Sequence, residues 1–281
     1  EMYEALSAKN LRTPFWGPFS GLKATVGGST SQNSLSMGTS TYGGSPESIL
    51  CYDIVLANGE LLKTGSSAMK NSQPFFRHYG PDLTGLFSGD AGALGVKARI
   101  TLRLIRHPSH TLTCSFGFKD YTSMSQGMAA AAREQSVSSN WGLDPQLQQG
   151  QLGSTTAKDA IQAAFAVLKT ARNPFEAIIQ LGKMALAGKR FLTGFDYSAH
   201  FVVEGYSTAE VKSKLAQTRK VLGPHGTEIA NTIPTVLGAM PFMELYPILG
   251  PQGERWVPMH GIVSFSKMQA LHDSLMALYE E

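Results

Sequence analysis

The sequence predicts an α+β fold, and three observations carry that prediction. Ile49 to Leu56 and Glu60 to Leu62 read as two strands around Asn58-Gly59, the strongest short-range signal of a β-hairpin. Tyr197 to Tyr206 alternates as a strand and runs into Ser207-Thr208-Ala209-Glu210, a capping-box start for a helix to Leu222. After Pro108, strand, helix, strand and helix succeed one another as in an antiparallel sheet of ferredoxin-like type.

Bulk composition narrows the class. The 281 residues suffice for two domains with real cores, and 42% hydrophobic with 16% charged residues is a globular balance. A net charge of +3 without a basic, aromatic-interleaved run disfavours nucleic acid as a partner. No apolar stretch has the length of a membrane span, and the first residues form no cleavable leader pattern. The two cysteines, Cys51 and Cys114, each fall inside an expected strand and read as reduced core thiols, which suits a cytoplasmic setting.

In chain order, Met2 to Lys9 has helical spacing and closes at Asn10, and Leu11 to Phe19 extends around Pro14 and Pro18. Thr25 to Gly43 is dense in glycine, serine and threonine. Such a backbone turns sharply and offers uncharged N–H and O–H donors to anionic oxygens. Past the hairpin, Ser66 to Tyr79 reads as a surface loop, with Phe75 and Phe76 anchoring it and Lys70, Arg77 and His78 on a solvated face. Leu83 to Phe87 is a short helical turn, Gly89 to Gly95 a tight bend, and Val96 to Leu104 a strand. Beyond Pro108 come a strand from Thr111 to Phe118, Asp120 as N-cap of a helix to Glu134, and an irregular glutamine- and glycine-rich stretch from Asn140 to Thr156. Helices are expected from Ala157 to Thr170 and Pro174 to Lys189, apolar packing from Leu237 to Leu249, a strand from Arg255 to Val263, and a helix from Ser266 to Glu280.

Several motifs occur together: Gly27-Gly28 with Asn33, Tyr42-Gly43-Gly44, the hairpin Asp53 to Gly65, and Gly80 to Pro108. In this order they resemble the FAD-binding domain of the vanillyl-alcohol oxidase family, nearest its D-lactate dehydrogenase and glycolate oxidase branch. The resemblance is strong from Leu22 to Pro108. It implies the second lobe of a PCMH-type FAD-binding domain over residues 1–108, without the pyrophosphate loop that precedes it in relatives, and part of a ferredoxin-like substrate cap over residues 109–281. The implied cofactor is FAD, and the implied reaction is hydride transfer from an alcohol or 2-hydroxyacid carbon to flavin. Oxidation of p-alkylphenols and a non-catalytic flavin-fold scaffold are the alternatives. In relatives of the 2-hydroxyacid type a divalent metal is held by a C-terminal stretch that these residues do not include.

The residues expected at the cofactor are Gly27, Gly28, Ser29, Ser31, Gln32, Asn33, Gly38, Gly43, Asp90, Gly92, Gly95 and Val96. Where relatives carry serine-glutamate-glycine-threonine-leucine-glycine, this chain has Ser88 to Gly95 with the carboxylate displaced and Ala93 in place of threonine, so backbone contacts are expected to carry that bend. No P-loop lysine and no G-x-G-x-x-G helix start is present, which argues against ATP hydrolysis and a Rossmann NAD site. In the cap, His260 is the first candidate to accept a proton and Arg255 a candidate fork for a substrate carboxylate, Tyr206 and Tyr246 are candidate phenol-binding hydroxyls, and His200 stands behind them. Seven histidines without close pairing form no metal signature. The partner expected is a small-molecule substrate with an unspecified electron acceptor, and a homo-oligomer is left open.

Overall fold

In the computed structural model, which describes residues 1–18, 21–148, 194–239, 242 and 261–280, the expected hairpin is the centre of a three-stranded antiparallel sheet. It belongs to the first of two compact units, Glu1–Ser109 and His110–Glu281. The elements of the first unit are α1 (Met2–Ser7), β1 (Leu11–Arg12), α2 (Val26–Ser31), α3 (Thr39–Tyr42), β2 (Ile49–Val55), β3 (Leu61–Lys63), α4 (Leu83–Leu86), β4 (Val96–Leu102) and β5 (Ile105–Arg106).

Strand β2 lies between β3 and β4, with Ile54 opposite Leu62 on one side and Tyr52 opposite Ile100 on the other. The hairpin closes through three residues, Ala57-Asn58-Gly59, rather than a two-residue Asn-Gly turn. Gly59 N–H donates to Leu56 O (2.9 Å), Leu56 N–H to Glu60 O (2.9 Å), and only Gly59, at φ 81°, takes the left-handed conformation. Ile49, Tyr52, Ile54 and Phe87 form a small core, with Leu56, Leu62, Ile100 and Leu102 packed on it. β1 and β5 pair separately, Leu11 opposite Arg106.

Unit two contains β6 (His110–Phe118), α5 (Tyr121–Arg133), β7 (Ser139–Leu143), β8 (Tyr197–Gly205), α6 (Thr208–Leu222), β9 (Thr227–Ile229), α7 (Thr232–Ala239) and α8 (Met268–Glu280). Its antiparallel sheet has the order β7-β8-β6-β9, and among the described residues the chain enters it as strand, helix, strand, strand, helix, strand. β6 and β8 pair over nine residues, from His110 opposite Gly205 to Phe118 opposite Tyr197. Alternation sends Cys114, Phe116, Phe118, Ala199, Phe201 and Val203 to one face, where Met124 and Ala131 of α5 and Val211, Leu215 and Leu222 of α6 complete the core. Thr113, of the opposite parity, faces α7 through Thr235 (3.4 Å).

Both helix starts expected here are capped by the expected side chains. Asp120 accepts from Ser123 N–H (2.7 Å), and Ser207 from Glu210 N–H (3.2 Å). The Glu210 carboxylate reaches back to Tyr206 N–H (2.7 Å), one residue beyond the usual box.

Four expectations need correction. Asn140 to Leu143 belongs to β7, because pairing with β8 (Trp141 opposite His200) supplies a ladder that local composition does not announce. Phe75 and Phe76 do not anchor the surface loop, being 68% and 47% exposed. The buried Ser66 hydroxyl anchors it, accepting from Phe75 N–H (2.9 Å) and Phe76 N–H (3.1 Å) and donating to Gln73 O (2.8 Å). Arg77 is not on a solvated face. Its guanidinium grips Asp82 in a fork (2.9 to 3.2 Å) and donates to Pro46 O (2.6 Å). Gly261 to Val263 form no strand, and the rest of that expected strand lies outside the described residues, as do both helices expected between 157 and 189 and most of the apolar stretch from Leu237.

Candidate functional site

The first glycine motif is a short helix rather than a sharp turn. Thr25 takes an extended conformation and its hydroxyl accepts from Gly28 N–H (3.0 Å), which starts α2 through two glycines that would otherwise resist helix. The helix stops at Asn33, in the left-handed conformation at φ 49°, with Ser34 N–H bonded to Ser29 O (2.9 Å) in a Schellman closure. Thr30 is buried and donates to Gly27 O (3.1 Å), while Ser45 Oγ donates to Ser29 O (2.8 Å). Gly28 N–H is therefore committed to Thr25, a correction to its expected role as a free donor.

The second motif is bonded directly onto the first. Gly89 N–H donates to Thr30 O and Ala91 N–H to Ser31 O, both at 2.8 Å. The last turn of α2, with its orphan carbonyls, and the Gly89 to Gly95 bend thus form one contiguous piece of backbone. Beneath it runs a closed polar chain. Tyr52 OH meets Ser88 Oγ (3.1 Å), Ser88 Oγ donates to Thr84 O (2.9 Å), Thr84 Oγ1 meets Thr64 Oγ1 (2.8 Å), and Thr64 Oγ1 accepts from Tyr52 N–H (2.9 Å). Burial raises the Tyr52 pKa, so its hydroxyl stays protonated in this chain.

The Asp90 side chain is turned inward. It is 2% exposed and its Oδ1 lies 2.6 Å from Lys97 Nζ, itself 3% exposed. The remaining carboxylate capacity goes to Gly92 N–H (3.0 Å) and Leu94 N–H (3.3 Å). Burial pushes this carboxyl up, and the bonds from Lys97, Gly92 and Leu94 outweigh it, so its pKa lies below the ordinary carboxylate value.

The other expected cofactor residues divide. Gly27 and Gly92 border open space, with nothing within 4 Å of where a Cβ would stand, and Gln32 and Asn33, at the end of α2, are exposed. Gly38, at φ 91°, is buried, and a Cβ there would strike the Pro14 carbonyl, so this glycine serves backbone packing. Gly43 packs on the Glu47 side chain, Gly95 on Ile54 and Val55, and Val96 opens β4 opposite Val55 with its side chain exposed.

Of the cap candidates, His260, Arg255 and Tyr246 lie outside the described residues. His200 is a core residue. It is fully buried between Ser115 Oγ (2.8 Å) and Ser198 Oγ (3.2 Å), and burial drives its pKa down to about 3, so it is neutral. Tyr206 is exposed at the start of α6. His272, which the sequence did not single out, stacks on Tyr121 (3.9 Å between centroids) and meets Tyr197 OH (3.0 Å), tying α8 to α5. Two open grooves in this unit, about 630 and 500 Å³, are lined mostly by residues of α5 and α6 and include no residue of the glycine motifs. Among the described residues no three His, Cys, Asp or Glu stand together as a metal site, and no helix is long and apolar enough to cross a membrane.

Residues 26–33 and 89–95 suit FAD on their own chemistry. The surface they form carries no net charge, because the one carboxylate within it is buried and paired, and it includes glycines against open space and two half-buried serines, Ser29 and Ser31. The comparisons agree. Residues 1–65 match the family described as FAD binding domain. The chain is 32% identical over 108 residues to glycolate oxidase subunit GlcD of Bacillus subtilis (strain 168), covering 38% of this chain and 22% of that one. It is 39% identical over 77 residues to the mitochondrial cytochrome-type D-lactate dehydrogenase of Arabidopsis thaliana, covering 27% of this chain and 12% of that one. Among solved structures, p-cresol methylhydroxylase with substrate bound shares the fold at TM-score 0.59 and 18% identity, over 85% of this chain and 45% of the other. An alkyldihydroxyacetonephosphate synthase does so at TM-score 0.60 and 13% identity, over 88% and 40%. The matched region thus spans less than half of each of these relatives. Residues 1–65 carry FAD-binding-domain sequence, and FAD is the cofactor that this match supports. The resemblance to the vanillyl-alcohol oxidase, PCMH-type family of FAD-linked oxidoreductases is borne out.

Proposed function

We propose that this chain is part of an FAD-dependent oxidoreductase that takes a hydride from an alcohol or 2-hydroxyacid carbon. Residues 1–108 would be the second lobe of its FAD-binding domain and residues 109–281 part of its substrate cap. The observation that carries the reading is the pair of bonds from Gly89 and Ala91 to Thr30 and Ser31, which joins the two glycine motifs into one uncharged surface. The split strand order of the second unit supports the cap. The curated relatives favour the 2-hydroxyacid branch over phenols, since those named here are a glycolate oxidase subunit and a D-lactate dehydrogenase.

When bound, FAD supplies the hydride acceptor. This chain supplies the surroundings. Ser29, Ser31 and Gln32 offer uncharged donors beside Gly27 and Gly92, where main chain borders open space. Lys97 cancels the Asp90 charge, which would otherwise repel a phosphate-bearing ligand. His260 is proposed to take the substrate hydroxyl proton and Arg255 to pair with its carboxylate.

The test is anaerobic substrate addition to the protein with its complete chain, followed as loss of visible flavin absorbance. Bleaching by D-lactate or glycolate and not by p-alkylphenols is the expected result. The reverse pattern moves the chain to the phenol branch, and a protein that stays colourless with added FAD is a scaffold rather than an enzyme.

A further inference from the structure

We infer that Asp90 and Lys97 are positioning residues for the cofactor, locking the Gly89 to Gly95 bend so that it meets FAD with main-chain carbonyl oxygens rather than N–H groups. The inference rests on the FAD reading above. It starts from where the bend's donors go. Gly89 N–H is bonded to Thr30 O (2.8 Å), Ala91 N–H to Ser31 O (2.8 Å), Gly92 N–H to Asp90 Oδ1 (3.0 Å), Ala93 N–H to Asp90 O (2.9 Å) and Leu94 N–H to Asp90 Oδ2 (3.3 Å). Those five of the bend's seven N–H groups are spent inside the protein, so what Gly89, Ala91, Gly92, Ala93 and Leu94 hold out from their main chain to a ligand is acceptor oxygen. The complementary parts of FAD are its N–H and O–H groups, on ring or sugar, and its pyrophosphate, which only accepts, finds no partner among them.

The conformation is not one the bend would keep unaided. Gly89, Ala91 and Gly92 all sit at positive φ (67°, 51° and 78°), and an alanine there is disfavoured by about 1 kcal/mol. Asp90 opposes that cost from the centre of the bend, gathering two N–H groups and the Lys97 ammonium (2.6 Å) on one carboxylate. Lys97 is fixed in turn, its Nζ 5.9 Å from the centre of the buried Tyr52 ring. Because Lys97 lies on β4 and Tyr52 on the adjacent β2, the pair refers the bend to the sheet. The outer residues of the bend, from Ala91 to Leu94, are exposed.

The experiment titrates the apo full-length protein with FAD, reading the dissociation constant by fluorescence quenching and the geometry by visible circular dichroism at saturation. Lys97→Met and Asp90→Asn are expected to weaken binding about tenfold or more and to alter the visible dichroism, and Lys97→Arg, which keeps a charged donor, to stay within about threefold of wild type. Variants that melt earlier yet bind FAD with wild-type affinity and dichroism overturn the inference, because the pair is then structural only. Should Lys97→Met and Asp90→Asn not fold, amide exchange in the wild type decides. Gly92 and Leu94 N–H groups are expected to be protected before FAD is added, and free exchange there overturns the proposal. A wild-type protein that takes up no FAD refutes the cofactor reading itself, and this inference with it.

Discussion

The two units solve the folding problem with different materials. The second is organised around apolar side chains: Phe116, Phe118, Phe201, Val203 and their neighbours on α5 and α6 fill one face of a four-stranded sheet. In the first the buried apolar cluster is smaller, Ile49, Tyr52, Ile54 and Phe87 with Leu56, Leu62, Ile100 and Leu102 packed on it, and buried hydroxyls, caps and an ion pair stand beside it. Hydrogen bonds are directional and apolar contacts are not. A backbone that must present a particular edge to a ligand is better specified by the former, and a scaffold that need only stay packed by the latter.

That contrast can be broken at either end. The largest effect is expected in the second unit from Phe201→Ala, which empties a fully buried site and should cost about 3–5 kcal/mol in chemical denaturation. A result below 1 kcal/mol would mean the core repacks freely. In the first unit, Ser66→Ala strands the Phe75 and Phe76 N–H groups and should cost about 1–3 kcal/mol, read as faster proteolysis of the loop around them.

Acid separates the units further. His200 has a folded pKa depressed to about 3, so it is neutral in the folded protein while the unfolded chain protonates it below about 6.5. The unfolded state then binds more protons, and stability falls as pH drops through that window, by about 1.4 kcal/mol per pH unit at most. Asp90 acts later, because its folded pKa lies below the ordinary carboxylate value. Its contribution is complete above that value and is lost as pH falls through the folded one. Amide exchange between pH 6.5 and 4.5 should therefore show the second unit loosening first, and the opposite order would contradict these assignments. The smallest effect is expected at Thr25→Ala, which removes the cap of α2 at about 1 kcal/mol and weakens FAD binding without changing the melting of the second unit.

Much of this architecture was legible before the coordinates. The hairpin at Asn58-Gly59, the caps at Asp120 and Ser207, and the buried free thiols of Cys51 and Cys114 follow from residues within a few positions of one another, and the glycine motifs are read from their order along the chain. At the candidate site the motifs were identified and the roles within them were not. Gly38, Gly43 and Gly95 proved to be packing glycines, and Asp90 turned inward to Lys97.

Local chemistry sufficed wherever the interacting groups are neighbours along the chain, since a cap, a turn or a strand period is written into consecutive side chains. The tertiary structure alone decided that Gly89 and Ala91 donate to α2, that Ser139–Leu143 is a strand of the sheet, and that Arg77 is clamped between Asp82 and Pro46. Apart from the Arg77–Asp82 fork, these bonds join residues far apart in sequence. Which distant donor meets which acceptor depends on how whole elements pack, and no residue's own type records that.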